Sequence, residues 1–265
     1  IYADRRFTDE EAQQVIETAQ GDYAEERNTL NTLAQKMRRR RFRDGAITFE
    51  REEAKFNLDE NGKPLGVYFK VMKESNQLIE EFMLLANRKV GEFEGKKRGK
   101  GANAERTFVY RVHDKPDPEK LEKLSNFILN FGYYLKPDSK GKELSQNMNK
   151  LMAEIRGKAE ENVISTLAIR SMAKAYYTMD NIGHYGLAFP FYTHFTSPIR
   201  RYPDMMVHRL LANYLDGGKS PAKDFYEEQC AHSSDMEVVA AEAERASIKY
   251  KMVEFMQDRI GQEYD

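Results

Sequence analysis

The stretch Thr193-His194-Phe195-Thr196-Ser197-Pro198-Ile199-Arg200-Arg201-Tyr202-Pro203-Asp204-Met205-Met206-Val207-His208-Arg209-Leu210-Leu211 carries the densest chemistry in the chain. A tight turn at Thr196, Ser197 and Pro198 opens a predicted helix, Pro198 to Leu215, with Arg200 and Arg201 on its first turn. The first turn of a helix has unpaired backbone N–H groups and a partial positive charge, so it attracts anions. Two guanidiniums add planar, forked donors that match phosphate oxygens. Asp204, four residues beyond Arg200, is the expected i,i+4 partner that holds its rotamer. The local chemistry says phosphate, and phosphate on a large partner says nucleic acid.

Outward from this stretch, the pattern alternates between helix and short strand. Thr8 and Glu11 have capping-box spacing, and apolar residues then recur at three- and four-residue steps. That predicts one long helix ending near Arg41–Asp44, with Gly45 as its stop. Ala46 to Leu58 reads as extended chain, Asp59 to Gly62 as a turn, and Gly66 to Met72 as a returning strand. A second helix is predicted from Ser75 to Phe93, with Leu78, Ile79, Phe82, Met83, Leu85 and Ala86 as its buried stripe. Strands are expected at Thr107–Val112, Lys174–Thr178 and Leu187–Tyr192. Helices are expected at Pro118–Phe131, Leu144–Ile155, Glu160–Ala173 and Ala222–Gln257, with Gly217 and Gly218 ending the arginine helix. The fold class is α+β, with helices packed around a central mixed or antiparallel sheet.

Net charge is −1, so any attraction to nucleic acid must be local: Arg38–Arg41 with Arg43, Lys96–Lys100, and Arg200-Arg201. The arginine run ends a helix, where cations also suit the dipole, so attraction to a nucleic-acid backbone and helix capping both account for it. No apolar run approaches the ~20 residues that span a bilayer, and a cytoplasmic location is expected. The single cysteine, Cys230, excludes an internal disulfide framework and reads as a structural thiol. The five histidines lack zinc-ligand spacing, and neither a phosphate-binding Walker loop nor a Gly-x-Ser-x-Gly elbow is present.

Ser197-Pro198-Ile199-Arg200-Arg201-Tyr202-x-Asp204-x-x-x-His208-Arg209 resembles the signature of the ribonuclease II/ribonuclease R family of exoribonucleases. Asp4-Arg5-Arg6-Phe7-Thr8, Leu78 to Asn87, Tyr110-Arg111-Val112-His113-Asp114, Gly183-His184-Tyr185-Gly186-Leu187 and Ala243-Glu244-Arg245-Ala246 follow the family's order. The likeness runs over nearly the whole chain and is closest to the ribonuclease R branch. It implies a ribonuclease II-type catalytic fold and Mg²⁺-dependent, processive 3′→5′ hydrolysis of single-stranded RNA to nucleoside 5′-monophosphates. It also implies Arg200 as the catalytic arginine that positions the scissile phosphate. Ser197, Arg201 and Tyr202 are the adjoining candidate RNA contacts; Tyr202 also reads as a packing residue.

Three further contacts follow from the resemblance, each with a plainer alternative. Glu81 matches a glutamate at the RNA 3′ end, or is a solvated helix residue. Phe49 matches a base-stacking aromatic, or is a core strand residue. Glu244 matches a glutamate near the RNA path, or is an exposed residue of a charged helix. The family's Mg²⁺ ligands form an aspartate cluster ending Asp-x-Asp-Asp, and these 265 residues contain no such motif. The expectation is therefore one partial catalytic domain, 1–265, without the metal-binding segment and the flanking cold-shock-like and S1 domains, and inactive by itself. No partner protein is implied, and self-association of a truncated domain is expected if it exposes apolar surface. The alternative is a non-catalytic RNA-binding or scaffold member of the same fold.

Overall fold

The computed structural model describes residues 2–48, 53–96, 106–136, 139, 141–257 and 259–263. The element order is α1 (Asp9–Thr18), α2 (Ala24–Asp44), β1 (Glu53–Leu58), β2 (Pro64–Lys70), α3 (Glu74–Gly95) and β3 (Tyr110–Val112). There follow α4 (Pro118–Leu129), α5 (Gly141–Ile155), α6 (Glu161–Ser171), β4 (Tyr176–Thr178), α7 (Tyr202–Leu215) and α8 (Lys223–Gln257). The class is α+β. Among the described residues its strands form two antiparallel ribbons, β1 with β2 and β3 with β4, in place of one central sheet.

The chain divides into two compact units. The first comprises Ile1–Phe49 and Lys73–Ala231, the second Glu50–Met72 and His232–Asp265. In the first unit, α4, α5 and α6 close on a core of Leu124, Ile128, Met148, Leu151, Ile155 and Ile164. A second core joins Phe108, Val109 and Val112 to Met206, Val207 and Leu210 of α7. Cys230 lies in this core with no exposed surface. Burial pushes its thiol up to about 12, so it is an inert packing group. The second unit holds the β1–β2 hairpin, whose Gly62 carbonyl accepts a hydrogen bond from Lys251.

Helix ends follow local chemistry. Thr8 Oγ1 accepts from Glu11 N–H at 3.1 Å and Glu11 Oε2 accepts from Thr8 N–H at 2.9 Å, completing the capping box. Gly45 ends α2 with φ 110°, a left-handed conformation that disfavours a Cβ. A Cβ there would also lie 3.3 Å from Lys142 Cγ. Gly45→Ala is therefore expected to lower stability by about 1 kcal/mol, read as an earlier urea midpoint with an unchanged slope.

Four expectations are corrected. The predicted first helix is two: Ala19 and Tyr23 adopt φ 54° and 56°, and Gly21 adopts φ 111°, so the chain turns between α1 and α2. Leu187–Tyr192 is not a strand. Ala188 is left-handed and Pro190 has no N–H to give a ladder, so only isolated bridges form, such as His184 with Phe189. The face that α3 buries most deeply carries Glu81, Leu84, Asn87 and Gly91, whereas Ile79 is exposed. Finally, α7 begins at Tyr202, so Arg200 and Arg201 precede the helix. Pro203 explains this: it suits the first turn, and deeper inside a helix it would clash with the preceding turn.

Candidate functional site

The residues before α7 form an irregular loop that side chains hold from several directions. Thr193 Oγ1 donates to the Val109 carbonyl at 2.8 Å and is fully buried. Asn87 Oδ1, on α3, accepts from Phe195 N–H at 3.0 Å and Thr196 N–H at 3.1 Å. His208, one face of which stacks on Phe195 with ring centroids 4.0 Å apart, bonds the Phe195 carbonyl through Nε2 at 2.8 Å. Asp204 Oδ1 accepts from Ser197 N–H at 2.8 Å. The Ser197 carbonyl closes the turn by accepting from Arg200 N–H and Arg201 N–H.

The two adjacent arginines have different roles. Arg201 caps α7, and its Nε and Nη2 donate to the two oxygens of Asp204 at 2.8 and 2.9 Å. Asp204 is 0% exposed, so this fork is an internal brace. The expected Arg200–Asp204 pair is thus replaced by Arg201–Asp204, because α7 starts too late for Arg200 to lie one turn from Asp204. Arg200 is exposed, follows the fully exposed Ile199, and makes no side-chain hydrogen bond or ion pair with any described residue. Its guanidinium is free for an external anion.

Behind the loop lies a group of neutral rings among cations. His194 is pushed down to about 2, first by burial and then by Arg201 and Arg111. His184 is pushed down to about 3 by burial, then by His113 and Arg111. His113 is lowered by burial as well. Its Nδ1 accepts from Gly186 N–H at 2.9 Å, which leaves Nε2 as the donor to the Ala173 carbonyl at 2.8 Å. Tyr177 hydroxyl meets His194 Nδ1 at 2.8 Å. These histidines add no charge near neutral pH and leave the positive field to the arginines.

Acid therefore destabilises this region. An unfolded histidine takes a proton near pH 6.5, whereas folded His184 and His194 stay neutral to about 3 and 2. Between those limits the unfolded chain binds more protons, so stability falls as pH falls. Each histidine contributes up to about 1.4 kcal/mol per pH unit below 6.5. Urea unfolding between pH 7 and pH 4.5 is expected to show this slope, and His194→Gln to flatten it.

The other candidate residues lie as follows. Ser197 is half-buried in the turn, and Tyr202 is exposed at the start of α7. Glu81 is 3% exposed and paired with Arg41, whose Nε lies 3.2 Å from Glu81 Oε1, with Arg38 at 3.9 Å. Glu80, beside it, is the more exposed acid, 3.6 Å from Arg41. Glu244 is exposed on α8 in the second unit. Phe49 lies outside the described residues. The sequence reading passed over Asn87, Tyr192 and His194 as site residues, although each stands in or beside a quoted motif.

The loop does not suit Mg²⁺, which needs free carboxylate oxygens. Asp204 has both oxygens engaged. Among the described residues no group of three or more His, Cys, Asp or Glu is placed to hold a metal. No described helix is long and apolar enough to cross a membrane.

Residues 1–217 match the sequence model of the RNB domain, and the chain belongs to the RNB domain family. Ribonuclease R 1 of Lactococcus lactis is 38% identical over 243 residues, covering 89% of this chain and 28% of the relative. The chain thus spans under a third of that relative's length. The structure of Mycoplasma genitalium RNase R in complex with ribose methylated single-stranded RNA superposes with TM-score 0.83 at 23% identity. That match covers 97% of this chain and 41% of the other. Yeast Ssd1, a pseudonuclease, is similar with TM-score 0.61 at 22% identity, over 86% of this chain and 28% of its own.

Proposed function

We propose that this chain is the phosphate-gripping part of the catalytic domain of an exoribonuclease that acts on single-stranded RNA. The observation that carries this is the split between the arginines: Arg201 is tied to buried Asp204, and Arg200 is left free beside it. A guanidinium held on a braced loop can pair with two phosphoryl oxygens and offset charge that builds as the P–O bond breaks. Tyr202 and the Ser197 hydroxyl flank it as RNA contacts, and the bound single-stranded RNA of the similar ribonuclease R supports that substrate. The family resemblance supports processive 3′→5′ hydrolysis to nucleoside 5′-monophosphates, Mg²⁺ dependence and a cytoplasmic setting. In this reading Arg200 and its neighbours bind and orient the RNA, and no group of three or more His, Cys, Asp or Glu among the described residues is placed to hold Mg²⁺.

The same fold serves a pseudonuclease, so an RNA-holding member without hydrolysis is the second reading. Incubating the chain with 5′-labelled single-stranded RNA and Mg²⁺ tests the division of labour. The expected result is a retarded band on a native gel and full-length RNA on a denaturing gel. A ladder of shortened RNA that disappears in Arg200→Ala would mean that carboxylates of this chain complete the metal site. Absence of any retarded band would contradict RNA binding itself.

A further inference from the structure

Asn87 lies on α3, more than a hundred residues before the arginine loop, and is 3% exposed. Its one oxygen accepts from two consecutive amides, Phe195 N–H and Thr196 N–H, at 3.0 and 3.1 Å. Its Nδ2 donates to the Tyr192 hydroxyl at 3.1 Å. A single planar amide thus spans the loop from Tyr192 to Thr196. Backbone amides withdrawn from water outside a helix or sheet need such partners; these two are part-buried and lie a few residues before Arg200. Asp204 and His208 hold the next and the neighbouring groups from α7. Arg200 emerges from the pinned segment with no partner of its own among the described residues.

We infer that Asn87 is a positioning residue for Arg200: it fixes the loop so that the guanidinium meets an RNA phosphate without reordering. This rests on the reading of Arg200 as an RNA contact. A loop ordered before the ligand arrives loses less conformational freedom on binding, so its affinity is higher. A purely structural asparagine would stabilise the domain to the same extent and leave Arg200's contribution to binding unchanged.

The test combines amide hydrogen exchange over residues 195–201 with the chain's affinity for a short single-stranded RNA. The variants are Asn87→Ala, Asn87→Asp, Arg200→Ala and the double Asn87→Ala/Arg200→Ala. Asn87→Ala removes the acceptor of two amides, so exchange at Phe195 and Thr196 is expected to rise about tenfold or more. RNA binding is expected to weaken about tenfold in the wild-type background and to change little when Arg200 is already alanine. Asn87→Asp keeps an acceptor for both amides and for a Tyr192 O–H donor, so protection and affinity are expected to return towards wild type. Should Asn87→Ala not fold, Asn87→Ser, whose hydroxyl is too short to span the same groups, is read by the same cycle.

Equal losses of affinity in both backgrounds would overturn the inference, as would raised exchange with unchanged affinity. Arg200→Ala binding RNA like wild type would instead remove the role given to Arg200, and that of Asn87 with it. The exchange change would still be seen, so the two failures are distinguishable.

Discussion

Arg200→Ala is expected to weaken binding of single-stranded RNA by about 10- to 100-fold and leave the thermal midpoint unchanged. The side chain is exposed and has no partner among the described residues, so its removal strands nothing in the folded chain. In a complex it would give charge-assisted hydrogen bonds worth about 1.5–3 kcal/mol, which sets that range. The slope of log affinity against log salt should also shrink by about 0.7, the share of one phosphate on a single strand. Arg201→Ala should behave oppositely. It leaves Asp204, which is 0% exposed, without its cation, and breaking a buried pair from one side costs about 3–5 kcal/mol. Fluorescence anisotropy and thermal melts on both variants check the pair. Interchanged phenotypes would mean that the arginine roles are assigned the wrong way round.

Arg41→Met is expected to be the most destabilising single change between α2 and α3, by about 3–5 kcal/mol. Arg41 is 6% exposed and Glu81 3%, and the two are joined directly. Without Arg41, the cation left to Glu81 among the described residues is the more distant Arg38, at 3.9 Å. Taking a carboxylate out of water without a close partner is the source of the penalty. Arg41→Met/Glu81→Leu should recover most of the loss, because well-packed apolar groups can replace a buried ion pair at little net change. Urea unfolding measures both. A double variant no better than the single one would show that the pair contributes through geometry that apolar packing cannot replace.

The sequence located the arginine loop and most helices, because capping boxes, turn glycines and periodic apolar residues are local signals. Thr8 capping α1, Gly45 ending α2 and the β1–β2 hairpin all follow from neighbours within a few residues. What the sequence missed depends on distant partners. Glu81 reads as an RNA contact or as a solvated helix residue, and its burial requires Arg41, forty residues earlier on another helix. Asn87 closes the quoted Leu78–Asn87 stretch with no role of its own, and only the fold brings it against Phe195 and Thr196. Which arginine is free turned on where α7 begins. Pro203 was a visible signal for that start, since it fits the first turn of a helix better than its sixth residue.

The most direct measurement is nuclear magnetic resonance of the arginine side-chain Nε–Hε signals while single-stranded RNA is titrated into the chain. The Arg200 signal is expected to shift and to gain protection from exchange as RNA binds. The Arg201 signal, already held by Asp204 at 2.8 Å, is expected to stay where it is. An Arg200 signal that remains unchanged at saturating RNA would contradict the central claim that this free guanidinium is the chain's phosphate grip.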